Sequence, residues 1–137
     1  MFHPEPGQGI GAYVEEPVTP GEWIHVVGVA DSTYVHMYKN GVHKNAQKYA
    51  GRIVPAHGSA PVRFGTRDFA SYFQGALAHI CIWSRALSAL EVSELYANSS
   101  HVSRNGLVAE WLFALGQDMA GGHDAAVTGA VWEANSA

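Results

Sequence analysis

Eight histidines run through the 137 residues, as His3, His25, His36, His43, His57, His79, His101 and His123. Imidazole is a common ligand for transition metals, but a metal motif on one element needs paired donors. The chain has no H-x-x-x-H, H-E-x-x-H or paired-cysteine spacing. Linear spacing therefore gives zinc no support, though His36 and His79 could approach each other if their strands are neighbours. Carboxylates fare no better as catalysts. Glycosidases hold two carboxyls about 5 Å apart when retaining and about 6.5–9.5 Å apart when inverting, and on a strand the shorter spacing means an E-x-D-like triplet. None is present: Glu15 and Glu16 are adjacent and so point to opposite faces, Glu91 and Glu94 belong to a helix, and Glu110 stands alone among apolar neighbours. With no G-x-S-x-G elbow and no glycine-rich phosphate loop, no residue is assigned a catalytic role.

Binding is the chemistry that remains. An exposed aromatic ring can lie against an apolar face while its hydroxyl, or nearby amides and carboxylates, meet polar groups. Tyr13, Tyr34, Tyr38, Tyr49, Phe69 and Tyr72 are the aromatics placed on loops and outward faces, whereas Trp23, Trp83, Trp111 and Trp132 are assigned to the core. The segment Gly65-Thr66-Arg67-Asp68-Phe69-Ala70-Ser71-Tyr72 combines a cation, an anion and two aromatics beside a permissive glycine. Arg67, Asp68, Phe69 and Tyr72 are therefore the candidate ligand-binding residues, since loops carried on a rigid scaffold are where function concentrates.

The elements that position these residues are mostly strands. Six prolines and fifteen glycines punctuate short runs rich in Val, Ile, Tyr and Trp, the texture of an antiparallel sandwich and not of alternating β and α units. Residues 23–30 and 34–39 are joined by the polar turn Asp31-Ser32-Thr33, and Asn40-Gly41 is a type I′ hairpin signal. Further strands are expected at 47–54, 61–66, 76–83, 106–113 and 126–133, the 77–83 run being apolar enough for burial on both faces. In the 106–113 strand Leu107, Ala109, Trp111 and Phe113 alternate with Val108, Glu110 and Leu112, and the first set is expected to face the core. Ser88 and Glu91 have capping-box spacing, and Leu90, Val92, Leu95 and Tyr96 can form an apolar stripe on a helix over about 88–97.

Composition narrows the partners. A length of 137 residues with 47% apolar content suits one domain with one core. A net charge of −4 argues against a nucleic-acid phosphate backbone as partner. No run approaches eighteen apolar residues, so no membrane span is expected, and the opening Met1-Phe2-His3-Pro4-Glu5-Pro6-Gly7 has neither the basic nor the apolar region of a signal peptide. A cytoplasmic protein and a segment of a secreted one both remain open. Cys81, the only cysteine, sits in an apolar run and reads as a small buried side chain.

The run from Phe73 to Val92, F-Q-G-A-L-A-H-I-C-I-W-S-R-A-L-S-A-L-E-V, passes from strand to capped helix without a loop. It resembles the F-x-G-x-I-D-E-V-x-I-Y/W-x-R-A-L-S-x-x-E-I signature of laminin G-like domains in the concanavalin A-like lectin and glucanase superfamily. Gly21-Glu22-Trp23-Ile24-His25-Val26-Val27 with Val35-His36-Met37-Tyr38-Lys39-Asn40-Gly41 resembles that family's W-x-H-V-A and L-x-L-Y-V-N-G strand pair, and Pro61-Val62-Arg63-Phe64-Gly65 its P-L-x-I-G strand. The resemblance implies an all-β, concanavalin A-like antiparallel sandwich, or jelly roll, with one short helix. It also implies a noncatalytic module for a carbohydrate or protein ligand; an assembly protein that oligomerises through a sheet edge and a divergent glycosidase are the alternatives. Gly106-Leu107-Val108-Ala109-Glu110-Trp111-Leu112-Phe113 is similar to the strand that usually opens such a domain. Residues 1–137 are accordingly read as one shortened, circularly rearranged domain in which 106–137 supply the opening strands, with a homodimer favoured.

Calcium is the cofactor that the resemblance implies, through a strand Asp and a loop here represented by Asp118 and Asp124. Ala78 and His79 stand where the family has Asp-Glu, and calcium needs six to eight oxygens, so a polar turn is the preferred reading of Asp118 and Asp124. The chain is expected to work without a cofactor. Millimolar calcium acting at a micromolar site would add about 4 kcal/mol; the expected result is a melting temperature that calcium and chelator leave unchanged.

Overall fold

The computed structural model describes residues 2–5, 8–10, 12–49, 61–66, 70–112 and 118–131. Among these, seven strands pair only antiparallel and one α-helix is present, so the fold is all-β as the sequence implies. Strand β1 (Phe2–Glu5) pairs with β2 (Gln8–Ile10); β3 (Val26–Ala30), β4 (Tyr34–Lys39) and β5 (Val42–Lys48) form a meander; β6 (His79–Trp83) pairs with β7 (Leu107–Leu112). Two compact units result, each made of two stretches of chain: Met1–His57 with Arg85–Arg104, and Gly58–Ser84 with Asn105–Ala137.

In the first unit, the β3–β4 turn is held by Asp31, whose Oδ1 accepts the N–H groups of Thr33 and Tyr34 at 2.6 Å each. The β4–β5 turn is left-handed at both central residues, Asn40 (φ 50°) and Gly41 (φ 77°), the geometry that an Asn-Gly hairpin turn demands. Asn40 also fixes the start of β3, its Oδ1 accepting from the His25 N–H at 2.9 Å. Val29 and Tyr38 are buried on one face of the meander and Val35 on the other. A bulge after Met37 leaves Lys44 without a ladder partner, and Lys44 and Lys39 both meet the Glu16 carboxylate.

Helix α1 (Ala89–Ala97) belongs to the same unit and packs on β5. Its capping box is complete: Ser88 Oγ accepts from the Glu91 N–H at 3.2 Å, and Glu91 Oε2 accepts from the Ser88 N–H at 2.8 Å. Arg85 grips the same carboxylate with two nitrogens at 2.7 and 3.0 Å. The expected apolar stripe narrows to a single anchor. Val92 is wholly buried and Leu95 half-buried, while Leu90 and Tyr96 stay exposed; Tyr96 lies over the hairpin turn, where a methyl on Gly41 would come within 3.1 Å of its ring.

In the second unit β6 and β7 run in register from His79↔Leu112 to Trp83↔Leu107, with a bulge at Val108. Several expectations are corrected. Trp23 is 61% exposed, since it precedes β3 in non-strand chain and gains no sheet neighbour. None of β6 is fully buried, because β7 is its only strand neighbour among the described residues. Residues 126–131 form no strand, and 61–66 contribute only the isolated bridge Thr66↔Tyr72. The 47–54 segment ends β5 at Lys48 and then passes outside the described residues.

Replacing Ser88 by Ala removes one hydroxyl acceptor from the helix N-terminus and should lower stability by about 1 kcal/mol. Urea unfolding of the two proteins measures it; superposable curves would show that the box contributes nothing.

Candidate functional site

Of the loop expected to bind, the described part is its neck. Tyr72 bridges back to Thr66, and the Phe73 N–H donates to the Gly65 carbonyl at 2.7 Å. Gly65 is left-handed (φ 75°), which lets the chain reverse at this point. Tyr72 is 65% and Phe73 58% exposed, so two aromatic side chains stand in water beside a pinned backbone. Arg67, Asp68 and Phe69 lie outside the described residues. Among the other proposed aromatics Tyr13 is exposed, but Tyr38 and Tyr49 are buried. Tyr49 is fixed there by its hydroxyl, which donates to the Asp31 carbonyl. These two tyrosines belong to the core.

Asp118 and Asp124 are brought together in a turn. Asp118 Oδ1 accepts from the backbone N–H groups of Glu110 and Ala120 at 2.8 and 2.9 Å, and its Oδ2 from those of Gly121 and His123 at 3.0 and 2.8 Å. His123 Nδ1 adds a fifth contact at 2.8 Å, while Asp124 Oδ1 accepts the Asp118 N–H at 2.9 Å. An ionised carboxylate offers about four lone-pair sites, so the protein's own donors already saturate Asp118. Its side chain has no solvent exposure. Burial by itself would raise its pKa, but the N–H groups of Glu110, Ala120, His123 and Gly121 favour the anion and together hold the carboxyl well below the ordinary range.

A third constellation comes from residues read singly in the sequence. His79 and Cys81 are two apart on β6 and therefore share a face, and the β6–β7 register sets Glu110 directly opposite Cys81. His79 Nε2 is 3.0 Å from Cys81 Sγ and 3.1 Å from Glu110 Oε1, and Sγ and Oε1 are 3.9 Å apart. Glu110 is 8% exposed, Cys81 half-buried and His79 exposed, so the group has a floor and an opening. A thiol, an imidazole and a carboxylate thus converge on one point. Neither Glu110 alone among apolar neighbours nor Cys81 as an inert core residue describes them, and the signal that could have found them was the strand register.

His36 does not serve such a group. One of its nitrogens faces His43 Nε2 at 3.1 Å and the other Asp31 Oδ2 at 2.9 Å. The Tyr34 and Thr33 N–H groups, then His36, bring the Asp31 pKa down to about 2. An open apolar cleft of about 250 Å³ lies between residues 12–18 and the β3–β4 pair, lined by Tyr13, Val14, Ile24 and Met37.

A family model described as concanavalin A-like lectin/glucanases superfamily, of laminin G type, matches residues 4–93. Among solved structures the chain is similar to the crystal structure of an S-layer domain-containing protein (residues 221–444) from Clostridium thermocellum ATCC 27405, at 22% identity and a TM-score of 0.46. That match covers 61% of this chain and 43% of the other, so the chain spans less than half of the relative's length. No curated protein matches.

The Asp118 turn carries a pH signature. A carboxyl whose folded pKa is depressed contributes stability that is complete above its unfolded pKa, about 3.9, and is lost as pH falls towards the folded value. Glu91, lowered to about 2 chiefly by Arg85 and then by the Ser88 N–H, acts in the same window. The stability gap between the protein and its Asp118→Ala variant should therefore be full at pH 7 and shrink steadily below about pH 4. Urea midpoints across that range test it; a pH-independent gap would contradict the assignment.

Proposed function

Because the chain belongs to the concanavalin A-like lectin/glucanases superfamily, we propose that it is a noncatalytic recognition module that binds a carbohydrate or protein ligand through loops of an antiparallel β-sandwich. Residues 106–137 then supply, within one laminin G-like domain spanning 1–137, the strands that usually open such a domain. Support for recognition comes above all from the neck of the 66–72 loop, where Tyr72 and Phe73 keep more than half of their surface in water. An aromatic plane stacks on the apolar face of a sugar ring or peptide side chain, and the Tyr72 hydroxyl can exchange hydrogen bonds with the ligand's own. Arg67 and Asp68, one a pure donor and the other a pure acceptor, fit the same use. The bridge at Thr66↔Tyr72 holds the backbone that carries the ring before binding, which spares part of the ordering entropy.

Assembly is the second reading. Strands β3 and β5 are the two outer strands of the three-stranded sheet, and exposed Val26 and Val42 lie on them. Among the described residues neither pairs with a further strand, and an edge of that kind can add a second copy.

An array of immobilised oligosaccharides, followed by titration of any hit against Tyr72→Ala, separates the two. Recognition predicts saturable binding that the variant weakens up to about tenfold, the equivalent of an aromatic contact of about 0.5–1.5 kcal/mol, with an unchanged melt. Absence of glycan binding, together with a dimer that persists on dilution in light scattering, would replace recognition by assembly.

A further inference from the structure

We propose that His79, Cys81 and Glu110 form a binding site for a divalent transition metal of the zinc class. The three donor atoms all lie within 4.8 Å of one another, and no other three histidine, cysteine or acidic donors converge in this way among the described residues. Tetrahedral zinc, with bonds of about 2.3 Å to sulfur and about 2.0–2.2 Å to nitrogen and oxygen, separates its ligands by roughly 3.3–3.6 Å. The observed separations of 3.0, 3.1 and 3.9 Å bracket that range. Adjustments of a few tenths of an ångström, within the reach of side-chain rotation, would seat the ion.

The same geometry argues against a nucleophilic triad. In a triad the base meets the nucleophile with one ring nitrogen and its orienting carboxylate with the other. Here a single nitrogen, Nε2 of His79, faces both the Cys81 sulfur and the Glu110 oxygen. Three donors converging on one point suit one shared cation, and a thiolate with an imidazole and a carboxylate selects zinc-like ions over calcium or magnesium. Binding would send the thiol proton to solvent. Glu110 forms the buried floor, and exposed His79 leaves an entry path and a fourth position for water or a ligand atom. Because His79 and Cys81 come from β6 and Glu110 from β7, the ion would tie the two strands together.

Cobalt(II) titration of the full chain tests this through its thiolate-to-metal charge-transfer absorption, which surface histidines cannot produce. The expected result is a saturable band at one equivalent, displaced by zinc, together with a zinc-dependent rise in melting temperature. Cys81→Ser should abolish the band, and His79→Ala should weaken affinity more than about 100-fold, since even outer-shell partners are worth 10–100-fold. His79 is exposed, so that variant should fold. No band in the unmodified chain, or undiminished affinity in His79→Ala, would overturn the site. Glycan binding by the Tyr72 loop plays no part in this readout, so either proposal can fail without the other.

Discussion

The pairing of β6 with β7 is the constraint on which the unit Gly58–Ser84 with Asn105–Ala137 depends. It joins residues about thirty positions apart, but closing a loop of that length costs only slightly more than closing a short one, so side-chain patterning decides the register. Ile80 and Ile82 lie opposite Trp111 and Ala109 on one face; Cys81 lies opposite Glu110 on the other. A slip of one residue would exchange the faces and strand Glu110 among the apolar side chains. Two fixtures oppose that slip. Trp111 is 7% exposed, meets the Phe64 ring edge-on at 4.9 Å and donates its indole N–H to the His123 carbonyl at 3.0 Å. Asp118 holds the neighbouring Glu110 N–H at 2.8 Å. Trp111 fixes the strand through its face and Asp118 through its edge.

What could be read from the sequence was whatever local chemistry decides. The capping box at Ser88 and Glu91 is a matter of three residues' spacing, and the Asn40-Gly41 turn follows from which side chains tolerate a left-handed backbone. Asp118 and Asp124 as turn residues follow from the same short-range logic. Burial was harder, because it depends on neighbours that the sequence does not specify. Trp23 looked like core by residue type alone and is exposed, whereas Tyr38 and Tyr49 looked like surface and are buried by the β3–β4–β5 pairing. The His79–Cys81–Glu110 group is illegible in any linear scan, since Glu110 is 29 to 31 residues from the other two across the strand pair.

Glu110 is where local pattern and structure conflict most sharply. In Leu107-Val108-Ala109-Glu110-Trp111-Leu112 every other residue is apolar, so a hydrophobic side chain at 110 would extend the strand pattern without a desolvation penalty. A carboxylate with a side chain only 10% exposed costs several kcal/mol unless partners offset it, and the His79 imidazole and the Cys81 thiol are among the groups that meet it. Such conflicts gather at functional sites, where local optimality gives way to chemistry. A divalent cation would add to these partners: its charge makes the buried anion a ligand, and the β6–β7 pair that holds Glu110 in place would be strengthened by the ion it positions. Stability and metal occupancy in this unit would then be one linked equilibrium, with Glu110 as the residue that couples them.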